Sequence, residues 1–340
     1  MMNDPCTSVV GGFKPPWWLR NAHLQTLWAS VVRRAPRPAL RRERLELPDG
    51  DFLDLDWTVG TAGPVVILLH GLQGSSDSNY ARGLLQALRL RGWRAVLMHF
   101  RGCSGEPNRL ARFYHAGDTG DFNTLVNLLR AREPETPLAA IGCSLGGNVL
   151  LKWLGEQGSQ APLVCAAAVS VPFDLARSVD HINRGWSRIY QYWLTRCLRI
   201  AARRKFSRLP SPLGAINLEE LRTLRAYDSA VTAPLHVFAS VEAYYAQSSC
   251  HPYLKHIRTP TLLAQAQDDP FLPATALPTL DALSTSIRLE LQRHGGHIGF
   301  ISGTLPWALN YWLEQRIPDY IATALATTAA DNHKQTTAGI

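Results

Sequence analysis

From Pro64 onward the chain repeats one pattern: a short unbroken apolar run, a glycine-rich polar turn, then a stretch whose apolar positions recur every three or four residues. The runs "PVVILLH" (64–70), "WRAVLMHF" (93–100), "PLAAIGCS" (137–144) and "PLVCAAAVSV" (162–171) lack the alternation of a strand with one wet face, so they read as strands buried on both faces. Between them, "NYARGLLQALRLRG" (79–92), "TGDFNTLVNLLRARE" (119–133) and "GGNVLLKWLGEQ" (146–157) have helical periodicity. Buried strands separated by amphipathic helices predict an α/β architecture with a mostly parallel sheet. The alternation lapses after "VPFDL" (171–175) and resumes with "TPTLLAQAQDDPFLP" (259–273) and "SIRLELQRHGGHIGF" (286–300), each a strand running into a polar loop. A last helix is predicted near "LPWALNYWLEQRI" (305–317).

These changes of pattern divide the chain. Residues 1–58 form an N-terminal extension and a first hairpin, in which "RERLEL" and "DFLDLDWTV" alternate on either side of a turn at Asp49-Gly50. Residues 59–175 carry the first part of the core, 176–233 a helical cap inserted before the last strands, 234–325 the second part of the core, and 326–340 a disordered tail.

Composition narrows the function classes. No apolar run approaches the roughly 20 residues of a membrane-spanning helix, and the start "MMNDPCTSVVGGF" lacks the basic flank and apolar stretch of a secretory signal. A cytoplasmic protein is expected. Six cysteines lie scattered without metal-like or CxxC spacing, so buried thiols are expected and no metal or cofactor is implied. The net charge of +8 is uneven: eight of the 35 Lys and Arg residues, and no acid, fall within residues 183–210. There Trp186, Ile189, Tyr190, Trp193, Leu194 and Cys197 recur at helical spacing and predict one apolar face. That face would pack on the sheet edge with its arginines solvated, line an acyl pocket, or make peripheral contact with an anionic membrane. Nucleic acid is not an expected partner, because the charge comes with a bulky apolar stripe and no known module.

The chemistry centres on Gly142-Cys143-Ser144-Leu145-Gly146, a G-x-S-x-G match with the strand before it and helix after it that a nucleophile elbow requires. A serine hydroxyl is a weak nucleophile near neutral pH and needs a base, and the base needs an orienting acid. Both follow in the order serine, acid, histidine, each at the end of a predicted strand. "QDDPFLP" offers Asp268 and Asp269; Asp269 is the choice, because Pro270 fixes the turn after it. "RHGGHIGF" offers His294 and His297; His297 is the choice, because Gly295 and Gly296 let the chain turn it toward the serine. Backbone N–H groups for an oxyanion are expected from Leu145 and from the "HGLQGSS" loop, where Leu72 is preferred to Gln73 and His70 is a structural hydrogen-bonder. The loop "RGCSGEPNRLARFYHAGD" (101–118) reads as a hydrogen-bonded structural loop.

Together with the N-terminal "FKPPWWLRNAHLQT", the segments "HGLQGSS", "RGCSGEPNRLARFYHAGDTGDF", "GCSLGGN", "QDDPFLP" and "GGHIGF" resemble the YheT-like (EMB8-like) hydrolases of the α/β-hydrolase superfamily, from Phe13 to about Trp312. The resemblance implies an α/β-hydrolase fold and a serine hydrolase whose triad is carried onto Ser144, Asp269 and His297, acting on carboxylic esters. Similar proteins of higher organisms act on acylglycerols or phospholipids and carry an N-terminal membrane anchor, a feature not seen in this sequence. A small-molecule ester, lipid-like in the alternative reading, is the expected substrate. Acyl transfer on the same triad, and a binding protein without catalysis, are the rival readings.

Overall fold

Eight strands form the central sheet: β1 (Leu40–Glu46), β2 (Phe52–Thr58), β3 (Val65–Leu69), β4 (Arg94–Met98), β5 (Leu138–Cys143), β6 (Cys165–Val169), β7 (Thr261–Ala266) and β8 (Ile287–Gln292). Their spatial order is β1-β2-β4-β3-β5-β6-β7-β8. The β1–β2 and β2–β4 pairs are antiparallel, and every pair from β4 to β8 is parallel. The computed structural model describes residues 12–60 and 63–338, with side chains up to residue 330; Cys6, the first eleven residues and the end of the expected tail lie outside that set.

The period-two rule decides how the sheet is covered. Val65, Ile67 and Leu69 of β3 face a core shared with α3 (Gly120–Arg132) and α4 (Leu145–Gln157). Val66 and Leu68 face the opposite core, closed by α2 (Asn79–Leu90) and the last helix, Leu313–Ala338. That helix runs through most of the expected tail. The β1–β2 hairpin turns where Gly50 takes φ +83°, a conformation that favours glycine.

Upstream of the sheet, α1 (Ala22–Leu27) is capped by the Asn21 side chain, which accepts from the N–H groups of His23 (2.9 Å) and Leu24 (3.2 Å). It continues through a π-helical turn, Trp28–Val32. This extension changes the end of the chain as well. Leu309–Tyr311 (β10), expected as helix, pairs instead with Ile301–Gly303 (β9), because Ile301, Leu309 and Tyr311 pack against Leu19, Ala29, Trp18 and Trp28 of the extension.

Between β6 and β7 lie α5 (Leu175–Ile182), α6 (Arg188–Phe206), α7 (Leu224–Tyr227), α8 (Ala233–Leu235) and α9 (Val241–Ser248), so the helical insertion runs past the expected boundary at 233. The reason is that α9 buries Val241, Tyr244 and Tyr245 in the sheet's own core and therefore reads like core sequence. The expected apolar face of α6 is also corrected. Tyr190 and Leu194 turn inward with Leu198 and Ala202, whereas Trp186 is 82% exposed, Trp193 56% and Ile189 48%. At 100° per residue the buried arc is rotated about a quarter turn from the predicted one. Lys205, counted among the basic residues, is buried and donates to the Leu110 (2.8 Å) and Arg112 (2.5 Å) carbonyls.

Candidate active site

Four loops meet above the C-terminal ends of β3, β5, β7 and β8, where an open α/β sheet leaves a crevice. Ser144 sits between β5 and α4 at φ 53°, ψ −120°, held by its N–H to the Val169 carbonyl at 2.8 Å. The small neighbours are a packing requirement. A Cβ on Gly142 would come within 2.5 Å of the Gly146 carbonyl oxygen, and one on Gly146 within 2.4 Å of the Leu69 oxygen.

His297 Nε2 lies 2.9 Å from Ser144 Oγ, and its Nδ1 lies 2.9 and 3.1 Å from the two Asp269 carboxylate oxygens. With Nδ1–H donated to the carboxylate, Nε2 is left to accept from the serine hydroxyl. Asp269 is buried and fixed, accepting also from the Phe271 N–H at 2.8 Å and the Gln265 amide at 3.3 Å. The Phe271 ring stacks on the His297 imidazole with centroids 3.8 Å apart.

The other acid and histidine form a separate pair. Asp268 accepts from the Gly296 N–H (3.0 Å) and lies 3.3 Å from His294 Nδ1, so it ties the loop and does not reach the serine. In the β3 loop, the Gly71 N–H donates to Tyr80 Oη and the Gln73 N–H to Tyr114 Oη, both at 2.8 Å. Among the described residues, the N–H groups of Leu72 and Leu145 have no protein partner, and both residues line the cavity with Ser144. His70 bonds the Gly71 carbonyl through Nδ1 (2.7 Å) and accepts the Phe100 N–H at Nε2 (3.1 Å); burial pushes its pKa down to about 3, so it is neutral.

The loop 101–118 is tied mostly to the first hairpin. Arg101 is buried among Asp121, Asp49 and Asp51, and Asn108 donates to Asp51 and to the Phe52 carbonyl. Sequence reasoning missed a different set, on α1. Thr26 Oγ1 accepts the His297 N–H at 2.9 Å, and the buried Gln25 bonds both the N–H and the carbonyl of Ile301. Gly296 and Gly299 let that loop touch α1: their Cβ atoms would fall within 2.4 Å of the Ala22 oxygen and 2.8 Å of the Gln25 oxygen. The uncommon density of polar residues in "NAHLQT" beside apolar tryptophans was the available signal.

Ser144 and His297 open onto a cavity of about 320 Å³ whose roof is apolar, with Val179, Ile182, Leu194, Leu198 and Val231 from the inserted helices. One wall is polar. There Asp228, in a π-helical turn, accepts from Thr232 Oγ1 (2.7 Å) and Tyr245 Oη (2.8 Å), and burial raises its carboxyl to about 6. No group of three His, Cys, Asp or Glu side chains that could hold a metal occurs among the described residues.

An elbow serine, a histidine and a buried acid on the loops of a mostly parallel sheet define the α/β-hydrolase class. A family model of the alpha/beta hydrolase fold matches residues 64–304. The chain is 42% identical to the putative esterase YheT of Escherichia coli, over 92% of its own length and 94% of the relative's. It is 29% identical to the phospholipase ABHD3 of Mus musculus, over 91% and 78% of the two chains. A solved structure of the Pyrococcus furiosus esterase Pf2001 shares the fold, with a TM-score of 0.53 at 16% identity, over 85% of this chain and 90% of that one. The chain belongs to the YheT-like family of α/β hydrolases.

Proposed function

We propose that this hydrolase is a serine carboxylesterase that works through an acyl-enzyme. The observation that carries the reading is the relay from Asp269 through His297 to Ser144, with both hydrogen bonds at 2.9 Å. Ser144 Oγ attacks the ester carbonyl while His297 Nε2 takes its proton. The carbonyl oxygen becomes an oxyanion that accepts from the free N–H groups of Leu72 and Leu145. His297, now an imidazolium held by Asp269, gives its proton to the leaving alkoxide as the carbon–oxygen bond breaks. Water then enters, His297 takes a proton from it, and hydroxide attack on the acyl-enzyme releases the acid and restores the Ser144 hydroxyl.

The lipid-ester form of this reading is favoured by the apolar cavity roof, which would bury an acyl chain at about 0.8 kcal/mol per methylene. The similarity to a protein named as a phospholipase points the same way. Fluorophosphonate labelling tests the nucleophile: the folded chain is expected to label, and Ser144→Ala to abolish labelling. Labelling that persists in Ser144→Ala would overturn the assignment. A series of p-nitrophenyl esters then reads the pocket, with the lipid form requiring an optimum beyond butyrate.

A further inference from the structure

We propose that the rim of the cavity, built by α1 and α6, docks on an anionic lipid surface. On α6 and the 3-10 turn before it, Trp186, Ile189, Tyr192 and Trp193 are exposed, and on α1 and its continuation so are Leu24, Leu27, Val31 and Val32. The two groups are neighbours. His23 Nδ1 of α1 lies 3.0 Å from Tyr190 Oη of α6 with the rings stacked, which sets the two elements against each other. Both elements reach the cavity, since Ala29 and Ser30 from one and Leu194 from the other line it.

Charge selects the occupant. Arg20, Arg34, Arg184, Arg188 and Arg196 are exposed on the same two segments, and none is in an ion pair among the described residues. The Arg196 guanidinium lies 5.7 Å from the Trp193 ring centre. The nearby acids are already engaged: Asp180 by Arg225, Glu219 by Arg199 and Arg203, and Glu314 by Arg33. A second copy of the chain docking on this face by a twofold axis would bring these free cations together. An anionic bilayer neutralises them, and the tryptophans match the interfacial layer where one edge of the ring is wet. The docked mouth would then open toward the acyl chains, and only this use of the docking, not the docking itself, rests on the lipid-ester reading.

The test separates binding from turnover by using the full chain with Ser144→Ala. It is expected to sediment with vesicles of phosphatidylcholine and phosphatidylglycerol, and much less with phosphatidylcholine alone. Trp186→Ala with Trp193→Ala should abolish that binding. Arg188→Gln and Arg196→Gln should each weaken it roughly fivefold at low salt. With Ser144 intact, the same surface variants should hydrolyse soluble p-nitrophenyl butyrate at the wild-type rate, which shows that they are folded. Equal binding to both vesicle types, binding unaffected by the tryptophan changes, or a dimer that those changes dissociate would each overturn the proposal. Vesicle binding without any esterase activity would instead overturn the catalytic reading and leave the docking surface standing.

Discussion

Ser144 holds backbone angles that cost a non-glycine residue on the order of 1–3 kcal/mol, and the surrounding glycines and the bond to Val169 keep it there. The motif and the chain order led to Ser144, Asp269 and His297, three side chains that the fold brings within hydrogen-bonding distance of one another, because local geometry at an elbow and at strand ends is written in adjacent residues. The choice between Leu72 and Gln73 was not legible, since it depends on Tyr114 Oη taking the Gln73 N–H from a distant loop. Asp269→Asn would present an amide N–H to His297 Nδ1 and force the wrong tautomer. Its kcat should fall by about 10⁴ with folding intact, whereas His294→Ala should stay within a few-fold of wild type in the same ester assay. A large loss in His294→Ala with His297→Ala unaffected would reverse the assignment.

Among the elements, α1 has the largest effect on the site relative to its length. It lies some 270 residues before the histidine loop in the chain, yet its Thr26 accepts the His297 N–H and its backbone is what Gly296 and Gly299 touch. On the proposed mechanism Thr26 is therefore a positioning residue. Thr26→Val removes the acceptor at nearly constant volume and should lower kcat by about 10- to 100-fold, as a misplaced base does, with KM little changed. Thr26→Ser should restore the rate; equal losses in kcat and melting temperature for both variants would mean a merely structural contact. The helix α6 shows why this scale is harder to read. Periodicity announced an apolar helix, but both the predicted arc and the buried arc carry apolar residues at helical spacing, and only the partners Phe271, Ile182 and Tyr227 decide which arc turns inward.

At the scale of the molecule, the inserted helices close a cavity lined by a half-buried carboxylate, Asp228, that has no ion-pair partner among the described residues. Asp228 has its carboxyl raised by burial from the ordinary 3.8 to about 6, so between those values the folded chain holds a proton that the unfolded chain has lost. Stability then falls as pH rises through that window, and above pH 6 the ionised group costs on the order of 1–3 kcal/mol. Asp228→Asn should therefore melt higher than wild type at pH 8 and the same as wild type near pH 4. A variant less stable at pH 8 would show that the charge is compensated in place. By itself, the sequence determined the alternation of buried strands and helices, the elbow and the order of the three reactive groups, because each is a short-range pattern of burial or turn geometry. Only the tertiary structure decided that α1 braces the histidine, that residues 309–311 pair as a strand, and which face of α6 meets solvent. Those outcomes depend on contacts between segments far apart in the chain, whose energies no local pattern records.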